Sequence, residues 1–307
     1  MDREQMLKEF DKYIKDKNIE IESEEDLEKH IQAFFATQNF KEKMLGYEHI
    51  EEDEAEDVYD YLELAESAPS KKEALKYAKK ALAMEPENWD AASMVAQISS
   101  NTPEALLDKL KKLIEQANDV MKRDGWFSEQ YIGDFWGFYE TRPYMRLRNV
   151  YLDILVECSM YKKAIEECKE IIRLNDNDNM GVRYKLMHLY TYFEDEESAL
   201  KLSKKYKEDY SSMFLLPLSM LYYKLGDLKS STKYLKLLKE KNKDTLKFFE
   251  AFVHEDAGTI IEDVPAFGYQ PFTIQEFAVE MEENQYLFAI MAPFFVWGLK
   301  KLKSSKK

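Results

Sequence analysis

The sequence predicts an all-α protein of stacked helical hairpins, with atypical helices capping its N- and C-terminal ends. Three observations carry that expectation. Apolar residues recur at helical spacing through most of the 307 residues. The chain has only 9 glycines and 8 prolines, few for the many turns of a β-rich fold. Small residues return at matching hairpin positions, Ala164, Ala199 and Ser231, at intervals of 35 and 32 residues, which marks an internal repeat.

The elements follow in order. Met6, Leu7, Phe10, Tyr13 and Ile14 are spaced for one helix and Leu27, Ile31, Phe34 and Phe35 for a second. Ser23 is the second helix's N-cap, and Asp26 its third-position acid. Together they form a cap over residues 1–50. The acidic run Glu51 to Asp57 is expected to be a solvated linker or a first helical turn. Residues 55–123 hold a first hairpin and the helices after it. Val58, Tyr61, Leu62 and Ala65 share one face, and Ser67-Ala68-Pro69-Ser70 breaks the pattern. Ala74, Ala78 and Ala81 then allow close helix approach, before Glu85-Pro86 closes the hairpin. Helices are expected over Trp89 to Ile98 and over Pro103 to Arg123, the latter with Thr102 as cap and proline at the first position.

Residues 124–144 are an aromatic, glycine-bearing connection, an ordered loop or short helix. Residues 145–243 hold three hairpins. Their first helices carry Tyr151, Leu152 and Leu155, then Leu186, Met187 and Tyr190, then Leu218, Ser219 and Tyr222. Their second helices carry Ala164, Cys168 and Ile171, then Ala199, Ser203 and Tyr206, then Ser231, Leu235 and Leu238. Gly226-Asp227 marks the last turn. Residues 244–307 form the C-terminal cap, with a turn-rich stretch from Val264 to Phe272 and helices from Ile274 to Glu283 and from Asn284 to Leu302.

Helix, tight turn, alanine-bearing helix and closing proline over about 34 residues is the layout of a tetratricopeptide (TPR) repeat. The expected fold is therefore a right-handed TPR-like solenoid of helical hairpins. Its repeats are degenerate. Only Pro86 fills the closing-proline position, occupied later by Asp176 and Lys243, and no unit has the consensus tryptophan. A resemblance supports the same fold. It is carried by Phe135-Trp136-Gly137, Glu140-Thr141-Arg142-Pro143-Tyr144-Met145-Arg146, Leu174-Asn175-Asp176-Asn177-Asp178-Asn179, Gly181, Arg183-Tyr184, and Glu197 with Ala199-Leu200. Through these residues Tyr131 to Tyr210, about a quarter of the chain, resembles the TPR domain of the suppressor of tumorigenicity seven family and its short bacterial relatives. Asp176 departs from the proline of those relatives. The resemblance implies a repeat fold and no particular activity; the membrane association of the animal members is not carried over.

Charge and motif content narrow the function. Forty-four basic against fifty-nine acidic side chains leave a net charge of −15, so no nucleic-acid partner is expected. The lysines at 300, 301, 303, 306 and 307 read as a solvated helix end. The longest apolar run, Tyr286 to Leu299, is fourteen residues and includes Pro293; a bilayer span needs about 20, so none is expected. Cys158 and Cys168 form no CxxC pair and are expected reduced, as in a cytoplasm. The charged N-terminal stretch predicts no secretory leader. His30, His49, His188 and His254 have no metal-ligand spacing, and nucleotide-binding and hydrolase motifs are absent. A calcium loop starting at Asp176 would place Gly181 sixth but Met180 fifth and Met187 twelfth, so 175–179 is expected to cap the next helix instead. No metal, cofactor or catalytic residue is expected.

In a TPR stack the first helices line the concave groove. Positions facing it are Arg146, Asn149 and Asp153 at a polar end, then Tyr184 and His188, then Met213, Met220 and Tyr223 at an apolar end. Arginine there can hold a carboxylate bidentately, and methionines adapt to varied apolar partners. Arg142 and Arg183 either bind or fix the stack by pairing with acids. The expected function is a non-enzymatic, cytoplasmic adaptor or scaffold holding a protein or peptide segment in that groove. One alternative is a homodimer assembled through Phe288, Phe294, Phe295 and Trp297. Another is an enzyme using the 126–144 segment, where Asp134, Glu140 and Arg142 crowd together.

Overall fold

The computed structural model describes residues 10, 12–17, 19, 21, 23–35, 51–254 and 268–304. Among them the regular structure is helical, and pairing of β type is limited to isolated bridges from Gly133 and Asp134 to Asn175. Met6, Leu7 and Val264 lie outside the described residues. The chain divides into two compact units, one of Met1–Phe127 with Trp136–Tyr151 and the other of Ser128–Phe135 with Leu152–Lys307.

In the first unit, helix α1 (Glu24–Phe35) starts where Ser23 Oγ accepts the Asp26 N–H at 3.1 Å. The acidic run ends in a helix cap: Asp57 and Asp60 form a capping box at the head of α2 (Val58–Ser67). Its Glu52 is not merely solvated. It accepts from Lys76 and Lys80 at 2.6 and 2.5 Å on α3 (Lys71–Met84), and these cations hold its carboxyl down at about 2. Ala78 and Ala81 are fully buried, so α2 and α3 pack closely. α3 then lies on α4 (Trp89–Ile98), and α4 on α5 (Pro103–Arg123). Asn88 and Thr102 cap the last two by accepting from Ala91 and Ala105 N–H groups. After a 3-10 turn at Tyr139–Thr141 comes α6 (Arg142–Glu157), of which residues 142–151 belong to this unit. α6 begins three residues before the expected Met145, because Pro143, in its first turn, has no N–H to leave unsatisfied.

The second unit holds residues 152–157 of α6, then α7 (Tyr161–Leu174), α8 (Val182–Phe193), α9 (Glu196–Lys205), α10 (Ser212–Lys224), α11 (Leu228–Lys241), α12 (Thr245–Val253), α13 (Ile274–Glu283), short α14 (Gln285–Phe288) and α15 (Ala292–Ser304). The 175–179 loop caps as expected: the buried Asp178 carboxylate accepts the Val182 and Arg183 N–H groups, both at 2.9 Å. Gly181 precedes α8 at φ 70°, where a Cβ would be strained. Between α10 and α11, Ser219 and Ser231 exchange hydrogen bonds, each hydroxyl donating to the other's carbonyl at 2.9 and 2.8 Å. Small residues at this crossing therefore do two things: they admit close approach and satisfy their own buried hydroxyls.

Two features differ from expectation. α12 was not foreseen, although Leu246, Phe249 and Phe252 are spaced for a helix. The helix expected over 284–302 is broken into α14 and α15, because the Pro293 ring clashes with the carbonyl four residues back. α15 packs on α12 and α11, and α13 packs on α10 and α12. The approach is close at Gly298, where a Cβ would stand 2.5 Å from Phe249 Cε1 and 3.4 Å from Leu235 Cδ2. Phe249 is itself fully buried against Phe294 and Phe295 and cannot give way cheaply. Gly298→Ala is thus expected to destabilise the unit by about 2 kcal/mol, read as a lower urea midpoint at unchanged slope.

Candidate functional site

In the first unit the expected groove residue Arg146 is engaged. Its Nε and Nη2 donate to Asp90 Oδ1 and Oδ2 at 2.8 and 2.6 Å, a bidentate pair between α6 and α4 with side chains 33% and 20% exposed. Nearby on α2, the Glu66 carboxyl is pushed up by lost hydration and by the charges of Glu63 and Asp90. Asp90, paired with Arg146, is thus also within electrostatic reach of Glu66, which Glu63 neighbours. Asn149 is half-buried on α6. Arg142 pairs with the backbone rather than an acid, its Nε donating to the Trp136 carbonyl at 2.9 Å and its guanidinium lying over the Trp136 ring.

In the second unit Arg183 does pair with acids. Its Nη1 reaches Asp178 Oδ2 and its Nε reaches Asp209 Oδ2, each at 3.0 Å, while Nη2 donates to the Tyr184 hydroxyl at 2.6 Å. The guanidinium also lies over the Tyr184 and Tyr206 rings. One side chain on α8 so ties together the loops on both sides of the α8–α9 hairpin. Asp153 accepts from Lys185 Nζ.

His188, Met220 and Tyr223 are covered by the chain's own C-terminal helices. His188 is fully buried, its Nδ1 2.7 Å from the Tyr184 carbonyl and its Nε2 2.9 Å from Glu280 Oε1 on α13. Its ring stacks on Phe288 of α14. Met213 and Met220 are buried as well, and Tyr223 packs on Phe294 and Trp297 of α15. Glu276, one turn before Glu280, is 1% exposed and accepts the Ser212 N–H at 3.1 Å and Asn242 Nδ2 at 3.4 Å. A carboxylate at the N-terminus of α10 meets unsatisfied N–H groups and a favourable dipole. Burial nevertheless pushes the Glu276 carboxyl up. Glu276 and Glu280 were not singled out beforehand. The available signal was two acids four apart on a face otherwise made of Phe277, Ala278 and Met281.

The aromatic set that a homodimer, the alternative reading, would need on the surface is inside the unit: Phe288, Phe294 and Phe295 are 3%, 0% and 0% exposed, and Trp297 is partly buried. Glu140 and Asp134 are exposed. Cys168 is fully buried, and burial pushes its thiol up. Among the described residues there is no cluster of His, Cys, Asp or Glu arranged to hold a metal, and no helix long and apolar enough to cross a membrane. Comparison with known proteins finds no matching family model, no matching curated protein and no matching solved structure.

Proposed function

We propose that the chain is a non-enzymatic adaptor or scaffold of TPR type, holding a protein or peptide segment on the face shared by its first helices. The order of packing in the second unit carries this. α10 lies against α8 as well as against its sequence neighbours α9 and α11, so first helices of successive hairpins stand side by side. A face built that way has a strip of side chains from several helices, suited to an elongated ligand. Support for its use as a receptor is that it already takes helices, α13 and α14, from the same chain.

In the first unit the corresponding side chains are Glu63, Glu66, Asp90 and Arg146. Three acids against one guanidinium favour a basic segment. The two thiols are free, which goes with a cytoplasmic setting.

Affinity capture with the full chain tests the assignment. A Glu63→Gln, Glu66→Gln variant with unchanged circular dichroism is expected to lose at least tenfold in the partner recovered by the native chain, about 1.4 kcal/mol. Arg146→Ala, which releases Asp90, is expected to recover more. Loss on Arg146→Ala alone assigns a carboxylate-bearing segment to the same face. Recovery unchanged in both variants removes the face from consideration.

A further inference from the structure

We infer that a second copy of this chain docks on the hairpin-turn end of the second unit, related to the first copy by a two-fold axis. Five large apolar residues that folding leaves exposed stand at that end. Phe193 closes α8, Leu225 and Leu228 flank the turn from α10 to α11, Ile290 follows α14, and Val296 lies in the second turn of α15. Ile290 is 53% exposed.

Contacts beside these residues bring their elements to one end. Lys224, in the last turn of α10, donates from Nζ to the Thr191 and Tyr192 carbonyls at 3.0 and 2.6 Å, which ties the ends of α8 and α10 together. Tyr192 meets Tyr286 of α14 with ring centroids 5.6 Å apart. Tyr223 meets Phe294 and Trp297 of α15 at 5.5 and 5.2 Å. A single exposed apolar side chain is ordinary on a protein surface, whereas several gathered on one end mark a surface that binds. Phe288, Phe294 and Phe295 take no part, being inside the unit.

The charges on either side select the occupant. Glu194, Asp195, Glu196 and Glu197 follow Phe193 directly into α9, and on the other flank Lys229, Lys233 and Lys300 are exposed on α11 and α15. The packing order α9, α8, α10, α11, α15 keeps the two flanks apart, with Leu225 and Leu228 between them. The acid on the basic flank, Asp227, is turned to its own helix, accepting the Lys229 and Ser230 N–H groups at 3.1 and 3.0 Å. A surface acidic on one side, apolar in the middle and basic on the other is complementary to itself after a half-turn. Each acidic run then faces the other copy's lysines, and every charge contact is made twice. A uniformly acidic or uniformly basic partner would meet like charge on one flank.

Sedimentation velocity of the full chain over roughly 1–100 µM tests this. The native chain is expected to show a reversible monomer–dimer equilibrium. Leu225→Asp and Ile290→Asp change exposed positions on different elements, so helical circular dichroism is retained, and each is expected to weaken the dimer by about tenfold. Should one fail to fold, the other serves. Glu197→Lys and Lys229→Glu each set like charges against each other at both flanks, and each is expected to weaken the dimer by about tenfold. Mixed in equal amounts, these two variants pair opposite charges again and are expected to associate within about threefold of the native affinity. Glu197 now pairs with Lys201 at side-chain exposures of 80% and 74%, a contact whose loss leaves the fold intact. A chain that is monomeric throughout overturns the inference and leaves this end to a different protein. A dimer that survives both apolar substitutions overturns it too, as does a mixture no stronger than its components. Growth beyond the dimer overturns the two-fold arrangement in favour of head-to-tail contact. None of these readouts depends on the groove function proposed above.

Discussion

Arg183→Ala is expected to destabilise the second unit by about 3 kcal/mol, the lower end for a buried ion pair that loses one member. The guanidinium is 19% exposed and its partner Asp178 carboxylate 0%, so solvent does not take over the lost bonds. The lower end applies because Asp178 keeps the two backbone N–H donors of residues 182 and 183, and Asp209 keeps the Ser211 N–H and hydroxyl. Arg183→Lys is expected to recover less than half, since an ammonium cannot span both acids and lie flat on Tyr184 and Tyr206. Urea unfolding of the three proteins decides it. A loss under about 1 kcal/mol for the alanine variant would place Arg183 with exposed pairs, whose contribution is small, and would make it available to a ligand.

Local chemistry made the limits of three helices legible. Trp89–Ile98, Pro103–Arg123 and Ile274–Glu283 stand where they were expected. The second of these is set by Thr102 accepting from Ala105 ahead of Pro103, a signal within four residues. α12 escaped because its nine residues carry a single alanine, Ala251, rather than a spaced set, and no turn glycine. The break before α15 is written in Pro293, which interrupts a helix even inside a continuous apolar run. Periodicity puts Arg146, His188, Met213 and Met220 on one side of their helices, but it does not say what covers a side. Arg146 meets an acid 56 residues away and His188 one 92 residues away, distances over which no local pattern applies. An aromatic-rich C-terminal stretch with paired glutamates was the nearest hint that this side would be filled from within.

How firmly it is filled follows from the core. Phe248 of α12 stacks on Phe277 of α13 at 4.4 Å and 4° and also touches Phe249, Phe252, Phe288 and Phe295. Phe277, Leu287, Phe288, Phe294 and Phe295 are all at most 3% exposed, and burying each contributes about 1.5–3 kcal/mol. Their sum, on the order of 10 kcal/mol, is comparable to the whole stability of an ordinary domain. α13 to α15 are therefore part of the second unit's core, and a protein ligand would have to match that burial to displace them. Phe248→Ala should expose this dependence. Removing the ring from the centre of the cluster is expected to cost about 4 kcal/mol, because packed neighbours on every side leave a cavity that cannot collapse. Phe248→Leu, which keeps most of the volume, should cost less than half as much. If Phe248→Ala lost under about 1 kcal/mol while α8 and α10 kept their exchange protection, the C-terminal helices would be a separable occupant, and the inner face of the second unit would join that of the first as a place for a partner.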